Sequence, residues 1–175
     1  MIKKLGRWFK DFGRWLQAPD NLPQGFLEVT GALSAKVIRA NGEVEHVGVI
    51  SRKKVTTVFV NALVDTLQSS VSSFSDFKYH DSGEGVTGES NSDTALGSPC
   101  GVARVTGSQI EGASANIYKS VGTITYDGSY AVTEHGLFNQ SSGGTLMDRS
   151  VFSAINVVNN DQIEFTYELT ANAEA

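Results

Sequence analysis

The chain has 175 residues, of which 40% are hydrophobic and 19% charged, with a formal net charge of −5. This size suits one domain whose core needs neither a disulfide nor a metal ion. One cysteine, Cys100, excludes an internal disulfide, and no run of about 18 apolar residues could form a transmembrane helix. The charges spread through the first residues argue against a secretory signal peptide.

Charge is distributed unevenly along the chain. Residues 1–17 contain five basic residues and one acidic residue, a net charge of +4, so the remainder carries −9. Nucleic-acid binding requires a basic surface that neutralises phosphates. We therefore do not expect a nucleic-acid partner for the acidic body.

The N-terminal segment is predicted to be an amphipathic helix, because its apolar residues recur at spacings of three and four. Gly6 and Gly13 each cost about 1 kcal/mol in a helix, so this helix should need a partner surface. Pro19 and Pro23 end the pattern. We predict a basic helical arm with a Pro-containing linker (1–24), followed by a β domain (25–175). The candidate partner-binding residues of the arm are Ile2, Leu5, Trp8, Phe9, Phe12, Trp15 and Leu16.

The hydrophobic period changes to two from Phe26 onward. Segments 33–39 and 43–50 flank Asn41-Gly42, and Asn-Gly tolerates positive φ at both central turn positions, so a tight hairpin is predicted. Residues 55–67 then place apolar side chains four apart, which predicts a helix whose stripe faces the core.

Short strands and turns are predicted for the rest of the chain. Asp127-Gly128 indicates a second hairpin, Gly143-Gly144 another turn, and 81–99 a long loop. The pattern predicts a mainly β fold: an antiparallel β-sandwich of about seven strands with one internal helix and the N-terminal amphipathic helical arm. The later predicted strands are 74–80, 117–126, 130–138, 146–155 and 162–170.

Two sequence patterns could indicate a cofactor site or a metal site. Gly83, Gly85 and Gly88 match the dinucleotide pattern GxGxxG, but a polar segment follows where the helix that receives the phosphates should begin. Four carboxylates between Asp81 and Asp93 do not match the EF-hand spacing, and the three histidines are far apart in the sequence. We therefore predict no cofactor and no metal site.

No motif indicates catalysis. The chain lacks a GxSxG elbow, and Cys100 has no accompanying His motif, so a half-buried structural thiol is the simpler interpretation. A catalytic triad is defined by geometry rather than sequence order, so convergence of distant side chains stays open. We expect the protein not to be an enzyme.

Four segments resemble a pattern in small virion proteins of tailed bacteriophages. They are FKYHDSG (77–83), SDTAL (92–96), AVTEHGLF (131–138) and GTLMDRSVF (144–152), and the similarity in order and spacing extends over residues 55–170. The N-terminal arm lies outside it.

The resemblance implies a virion structural protein, made in the host cytoplasm. Small size and the absence of a coiled-coil or repetitive shaft favour a capsid decoration or cement protein that docks by its arm and stabilises the shell. The alternative is a tail, baseplate, fibre or adaptor subunit anchored by the same arm. The expected partners are the major capsid protein or other virion proteins, together with further copies of the chain. Membrane contact is not expected, although Trp8 and Trp15 on a basic helix would also suit a membrane surface.

Overall fold

Strands dominate the computed structural model, which describes residues 27–68 and 77–173. Within these ranges nine strands form two antiparallel sheets, and one helix, α1, spans Thr57–Leu67. The predicted mainly β fold is confirmed. The strands are β1 (Leu27–Ile38), β2 (Val44–Lys54), β3 (Tyr79–Gly83), β4 (Val105–Thr106), β5 (Ser108–Glu111), β6 (Ile117–Thr125), β7 (Tyr130–Phe138), β8 (Leu146–Val157) and β9 (Gln162–Ala173).

The larger sheet has the order β2-β1-β9-β6-β5 and the smaller one β4-β3-β7-β8. Residues Glu28–Asn172 form one compact unit. The core cluster draws buried side chains from both sheets, such as Leu33 and Phe165 from the larger and Leu137 from the smaller. The count exceeds the predicted seven or so because β4 and β5 are very short strands that periodicity does not reveal.

The first predicted hairpin is present, with β1 and β2 paired antiparallel. Its turn differs from the predicted one, because Gly42 has a φ of 87° whereas Asn41 does not have a positive φ. The Gly42 N–H donates to Arg39 O at 2.8 Å, and Arg39 N–H donates to Glu43 O at 2.8 Å. This is the three-residue loop in which a type I turn is followed by a left-handed glycine.

The second predicted hairpin is wrong. Residues 126–129 connect β6 to β7, but β6 pairs with β5 and β9 in one sheet, whereas β7 pairs with β3 and β8 in the other. Asp-Gly indicates that the chain turns, but it does not determine which strands pair. β6 pairs with β9 at nine positions, and this pairing places β6 in the larger sheet. The turn at Asp127-Gly128 therefore crosses from the larger sheet to the smaller one.

Helix α1 was predicted correctly, but its apolar stripe faces the core only at its N-terminal end. Thr56 is the N-cap, and its Oγ1 accepts from Phe59 N–H at 3.2 Å and donates to Leu146 O at 2.6 Å. Phe59 is buried, whereas Val60, Val64 and Leu67 are exposed. Ala62 in the second turn still packs against the core cluster, so the stripe is uncovered mainly towards its C-terminal end.

The predicted strand 74–80 and loop 81–99 are shifted. β3 begins at Tyr79 and continues through Asp81 and Ser82 to Gly83, and residues 74–76 lie outside the described ranges. The loop therefore begins three residues later than predicted. Both Asp81 and Ser82 are buried.

Candidate functional site

The predicted partner-binding side chains of the arm, from Ile2 to Leu16, lie outside the described residues. Candidate sites within the described ranges are a buried carboxylate that holds the loop after β3, buried polar groups in the core, a polar cleft beside residues 88–91, and open surface at the sandwich edge.

A single buried carboxylate holds the loop after β3. Glu134 on β7 is 0% exposed. Its Oε1 accepts from the N–H groups of Ser98 at 2.7 Å and Gly85 at 3.1 Å, and its Oε2 accepts from Gly97 N–H at 2.9 Å. One side chain thus binds both ends of the 85–98 segment, which contains no strand or helix.

Arg149 on β8 completes this arrangement. Its Nε donates to Glu134 Oε2 at 2.7 Å, and its Nη1 donates to Asp93 Oδ2 at 3.1 Å. Burial raises the pKa of Glu134, but the N–H groups of Ser98 and Gly97 and the guanidinium outweigh this effect and lower the pKa below its ordinary value. The carboxylate is therefore ionised at neutral pH and bound by donors at both oxygens.

The glycines of the GxGxxG pattern have a steric role here. A Cβ at Gly83 or at Gly85 would overlap the Glu134 carboxylate. No helix follows them, since 84–104 has neither helix nor strand. The glycines allow the backbone to approach Glu134 closely, and the segment lacks the helix N-terminus that would receive a phosphate.

The four carboxylates considered for a cation do not converge. Within ranges 27–68 and 77–173, no three His, Cys, Asp or Glu side chains are grouped to hold a metal ion. Each carboxylate has its own partner: Asp81 with Arg104 Nε at 2.9 Å, Glu84 with Ala131 N–H at 2.8 Å, Glu89 with Lys53 Nζ at 3.0 Å, and Asp93 with Arg149.

Two of the three histidines meet inside the core, although they are 55 residues apart in sequence. His80 Nδ1 lies 3.0 Å from His135 Nε2, and His80 Nε2 lies 2.8 Å from Ser120 Oγ. His46 is instead exposed on β2. The fold therefore forms a Ser–His–His chain that the sequence did not indicate.

The hydrogen bonds determine the tautomers of this chain. His135 Nδ1 has no partner among the described residues. A proton on Nε2 of both rings lets His135 donate to His80 and His80 donate to Ser120, so that only a lone pair at His135 Nδ1 stays unpaired. The opposite arrangement would bury an unpaired N–H, which is rarer and more costly.

Burial prevents this chain from acting as a nucleophile–base pair in this conformation. Ser120, His80 and His135 are each 0% exposed, so no substrate carbonyl can reach Ser120 Oγ. Burial lowers the pKa of His80 to about 3 and that of His135 well below its ordinary value. Both rings are neutral core side chains at physiological pH.

A second buried polar group lies on β8. Asp148 is 0% exposed; its Oδ1 accepts from Ser150 Oγ at 2.7 Å, and its Oδ2 has no partner among the described residues. Burial raises the pKa of Asp148 to about 7, and the nearby Glu89 adds to the shift. Tyr167 is also fully buried, with its hydroxyl unpaired within the described ranges.

We expect Asp148→Asn to stabilise the protein more at pH 8 than at pH 5. The folded pKa lies above the unfolded value of 3.8, so the wild type loses stability as the pH rises from about 4 to about 7. The amide cannot ionise, and about two pH units of this loss lie above pH 5, so the gain should be larger at pH 8 by on the order of 2–3 kcal/mol. Urea unfolding at both pH values measures the gain, and equal effects at the two would contradict the assignment.

Cys100 is half-buried and packs against the core cluster. Burial raises the pKa of its thiol to about 11, although a hydrogen bond with Ser82 opposes the shift. A nucleophilic cysteine requires a lowered pKa. The thiol is therefore protonated at neutral pH and has a packing role.

A cleft of about 680 Å³ opens beside the loop at residues 88–91. Charged side chains line it, and Lys53 and Glu89 form an ion pair there at 3.0 Å. Its other lining groups are mostly hydroxyls, amides and backbone, which would suit a small polar molecule. The lining residues are Thr30, Gly31, Ala32, Arg52, Lys53, Thr56, Gly88, Glu89, Ser90, Asn91, Arg149 and Thr170.

The side of the sandwich between β2 and β8 is open. Both are edge strands of their sheets, and a groove of about 510 Å³ runs between them. Its apolar lining includes Val47, Val49 and Phe152. Exposed apolar side chains at a sheet edge are characteristic of protein–protein contact.

Sequence reasoning missed the Glu134–Arg149 pair, although a signal for it was present. Both charges lie in predicted strands that begin and end with large apolar residues, 132–138 and 146–152, and an ionised side chain is buried in such a strand only if it is paired. The His80–His135 contact left no such signal, because it depends on the pairing of β3 with β7.

Within the described ranges no helix is long and apolar enough to cross a bilayer. Comparison of the chain with models of protein families, with curated proteins and with solved structures finds no match.

Proposed function

We propose that this chain is a non-enzymatic structural protein of a tailed-phage particle, in which the β-sandwich is a rigid body and the N-terminal arm is the anchor. In the preferred form of the proposal the protein decorates the capsid and stabilises the shell. The tail-associated role is the alternative outcome of the tests below.

The observation that carries the proposal is the convergence of the four segments on which the phage resemblance rests. Each contributes to one cluster: Gly83 packs against Glu134, Asp93 and Glu134 both bind Arg149, and these residues come from four different segments. Leu96, Phe138 and Leu146 form a small apolar cluster within the same segments. These segments therefore maintain the fold, which supports a structural role for them better than a catalytic one.

The open surfaces of the sandwich also favour an assembly role. Val44, Val47 and Val49 on β2 and Val60, Val64 and Leu67 on α1 are all exposed. Solvation of so many large apolar side chains is unfavourable, and a contact with another protein would cover them.

Removing the aromatic side chains of the arm should abolish incorporation into particles and leave the sandwich folded. Trp8, Phe12 and Trp15 share the apolar face of the predicted helix, and each should contribute on the order of 2 kcal/mol if it anchors the interface. The measurement is the amount of Trp8→Ala/Phe12→Ala/Trp15→Ala protein that co-purifies with particles, with thermal unfolding as the check on folding. Lys3→Gln/Lys10→Gln is the matched control, because it alters charge and keeps the apolar face.

Measurements on the particles distinguish a capsid protein from a tail protein. Particles that lack a cement protein should lose heat resistance and regain it when the protein is added, because a ligand of the assembled shell stabilises that shell. Normal heat resistance with failed adsorption to cells would place the protein in the tail. Absence of the chain from purified particles would overturn the proposal.

A further inference from the structure

Strand β2 presents a long apolar edge to solvent. It is the terminal strand of the larger sheet, so β1 alone pairs with its backbone among the described strands. Val44, Val47 and Val49 are 48%, 39% and 51% exposed. The unpaired backbone groups of such an edge can pair with another chain unless bulges, charges or a covering segment prevent it.

The edge is interrupted at its centre. The register between β1 and β2 shifts twice, leaving Val47 and Ile50 without partners on β1, and Gly48 between them has a φ of 80°. Bulges of this kind disfavour a continuous backbone ladder with another strand. Any partner of β2 must therefore be specified mainly by side chains.

Acidic residues precede this centre and basic residues follow it. Glu45 on β2 and Glu43 just before the strand precede Gly48, whereas Arg52 and Lys53 follow it. All four are exposed, although Lys53 is already paired with Glu89. Arg52 has no ion pair with the residues that the structure describes, and Glu45 is 59% exposed in its contact with Arg39. An antiparallel copy of the same strand would bring Arg52 of one copy opposite Glu45 of the other.

We propose that β2 is a self-association surface, on which two copies of the chain meet antiparallel about a two-fold axis near Gly48. Glu45 of each copy then lies near Arg52 of the other, and the exposed side chains of Val47 and Val49 pack between these two charge pairs. A two-fold contact is closed, because the same surface is used on both copies and no free β2 edge is left. The contact specifies a pair rather than an open-ended sheet.

Reciprocal charge reversal tests this arrangement on the full chain. Glu45→Arg alone and Arg52→Glu alone each turn two attractions into two repulsions, so each should weaken self-association by about tenfold or more. An equimolar mixture of the two variants should restore pairing, because every facing pair is again opposite in charge. Analytical ultracentrifugation measures association, and native mass spectrometry identifies the mixed dimer.

Val49→Lys supplies a second measure that does not rely on ion pairs, and it should also dissociate the pair. Ile110→Lys is its matched control, since Ile110 is 51% exposed on β5 at the opposite edge of the same sheet. A wild-type chain that stays monomeric at submillimolar concentration would overturn the proposal. So would Glu45→Arg, Arg52→Glu and Val49→Lys variants that all pair as the wild type does.

The β2 contact itself does not depend on the proposed structural role. Only the use of that contact within a particle rests on the proposed function. Self-association is measured on the isolated chain, whereas the role itself is measured by incorporation into particles. A monomeric chain that still enters particles would refute the β2 contact alone, and a dimeric chain absent from particles would refute the role alone.

Discussion

Replacing Glu134 with alanine should lower the free energy of unfolding by about 3–5 kcal/mol, which is the usual cost of breaking a buried ion pair on one side. The substitution leaves Arg149, 5% exposed, without its closest carboxylate, and it leaves the N–H groups of Gly85, Gly97 and Ser98 without their acceptor. For a chain of this size the melting temperature should fall by roughly 10 °C. Urea unfolding and a thermal melt measure both quantities.

A surface pair provides the control for this result. Glu168 pairs with Lys119 at 3.2 Å but is 37% exposed, so Glu168→Ala should cost less than about 1 kcal/mol. Combining Glu134→Ala with Arg149→Met should cost less than the sum of the two single changes, because the two side chains share one interaction. A loss below about 1 kcal/mol for Glu134→Ala would show that the loop is held by other contacts.

Lowering the pH from 6.5 to 5 should destabilise the protein, with buried neutral histidines as the main cause. The folded pKa values of His80 and His135 lie far below the unfolded value of 6.5. The unfolded chain therefore takes up two protons that the folded chain excludes, so the histidines contribute their full stability above pH 6.5 and lose it below. Each contributes a slope of about 1.4 kcal/mol per pH unit, to be measured by urea unfolding across this range.

Asp148 opposes this trend, because its raised folded pKa adds stability as the pH falls from about 7 to about 4. The net slope should therefore be close to that of one histidine. His135→Gln should flatten the profile further, and His46→Gln, at an exposed position, is the matched control. A wild-type chain as stable at pH 5 as at pH 6.5 would contradict the buried neutral state of the pair.

The elements that sequence predicted correctly are those with strong local causes. β9 alternates Ile163, Phe165 and Tyr167 with polar residues, and those three side chains are fully buried. Helix α1 has apolar side chains four apart in the sequence, and Gly42 takes the positive φ of the first turn. Each of these features depends on neighbours within a few positions, so a short window of sequence contains its cause.

The errors arise where a distant segment determines the outcome. Asp127-Gly128 turns the chain in either arrangement, and only the pairing of β6 with β9 and of β7 with β8 shows that the turn crosses between sheets. The stripe of α1 has the periodicity of a buried helix throughout, but Val60, Val64 and Leu67 on it are exposed. Local pattern indicates what a segment can bury, whereas the rest of the fold decides what is available to cover it.

The sequence by itself determined the mainly β class, the single internal helix of the described chain, and an acidic body that follows a basic N-terminal segment. Only the tertiary structure decided that Glu134 meets Arg149, that His80 meets His135, and that β2 forms an edge. Composition and periodicity depend on residues that are close together in the sequence, and they predict well which apolar side chains are buried. Polar side chains in a core require partners at hydrogen-bond distance, and those partners come from strands that antiparallel pairing brings together across the fold.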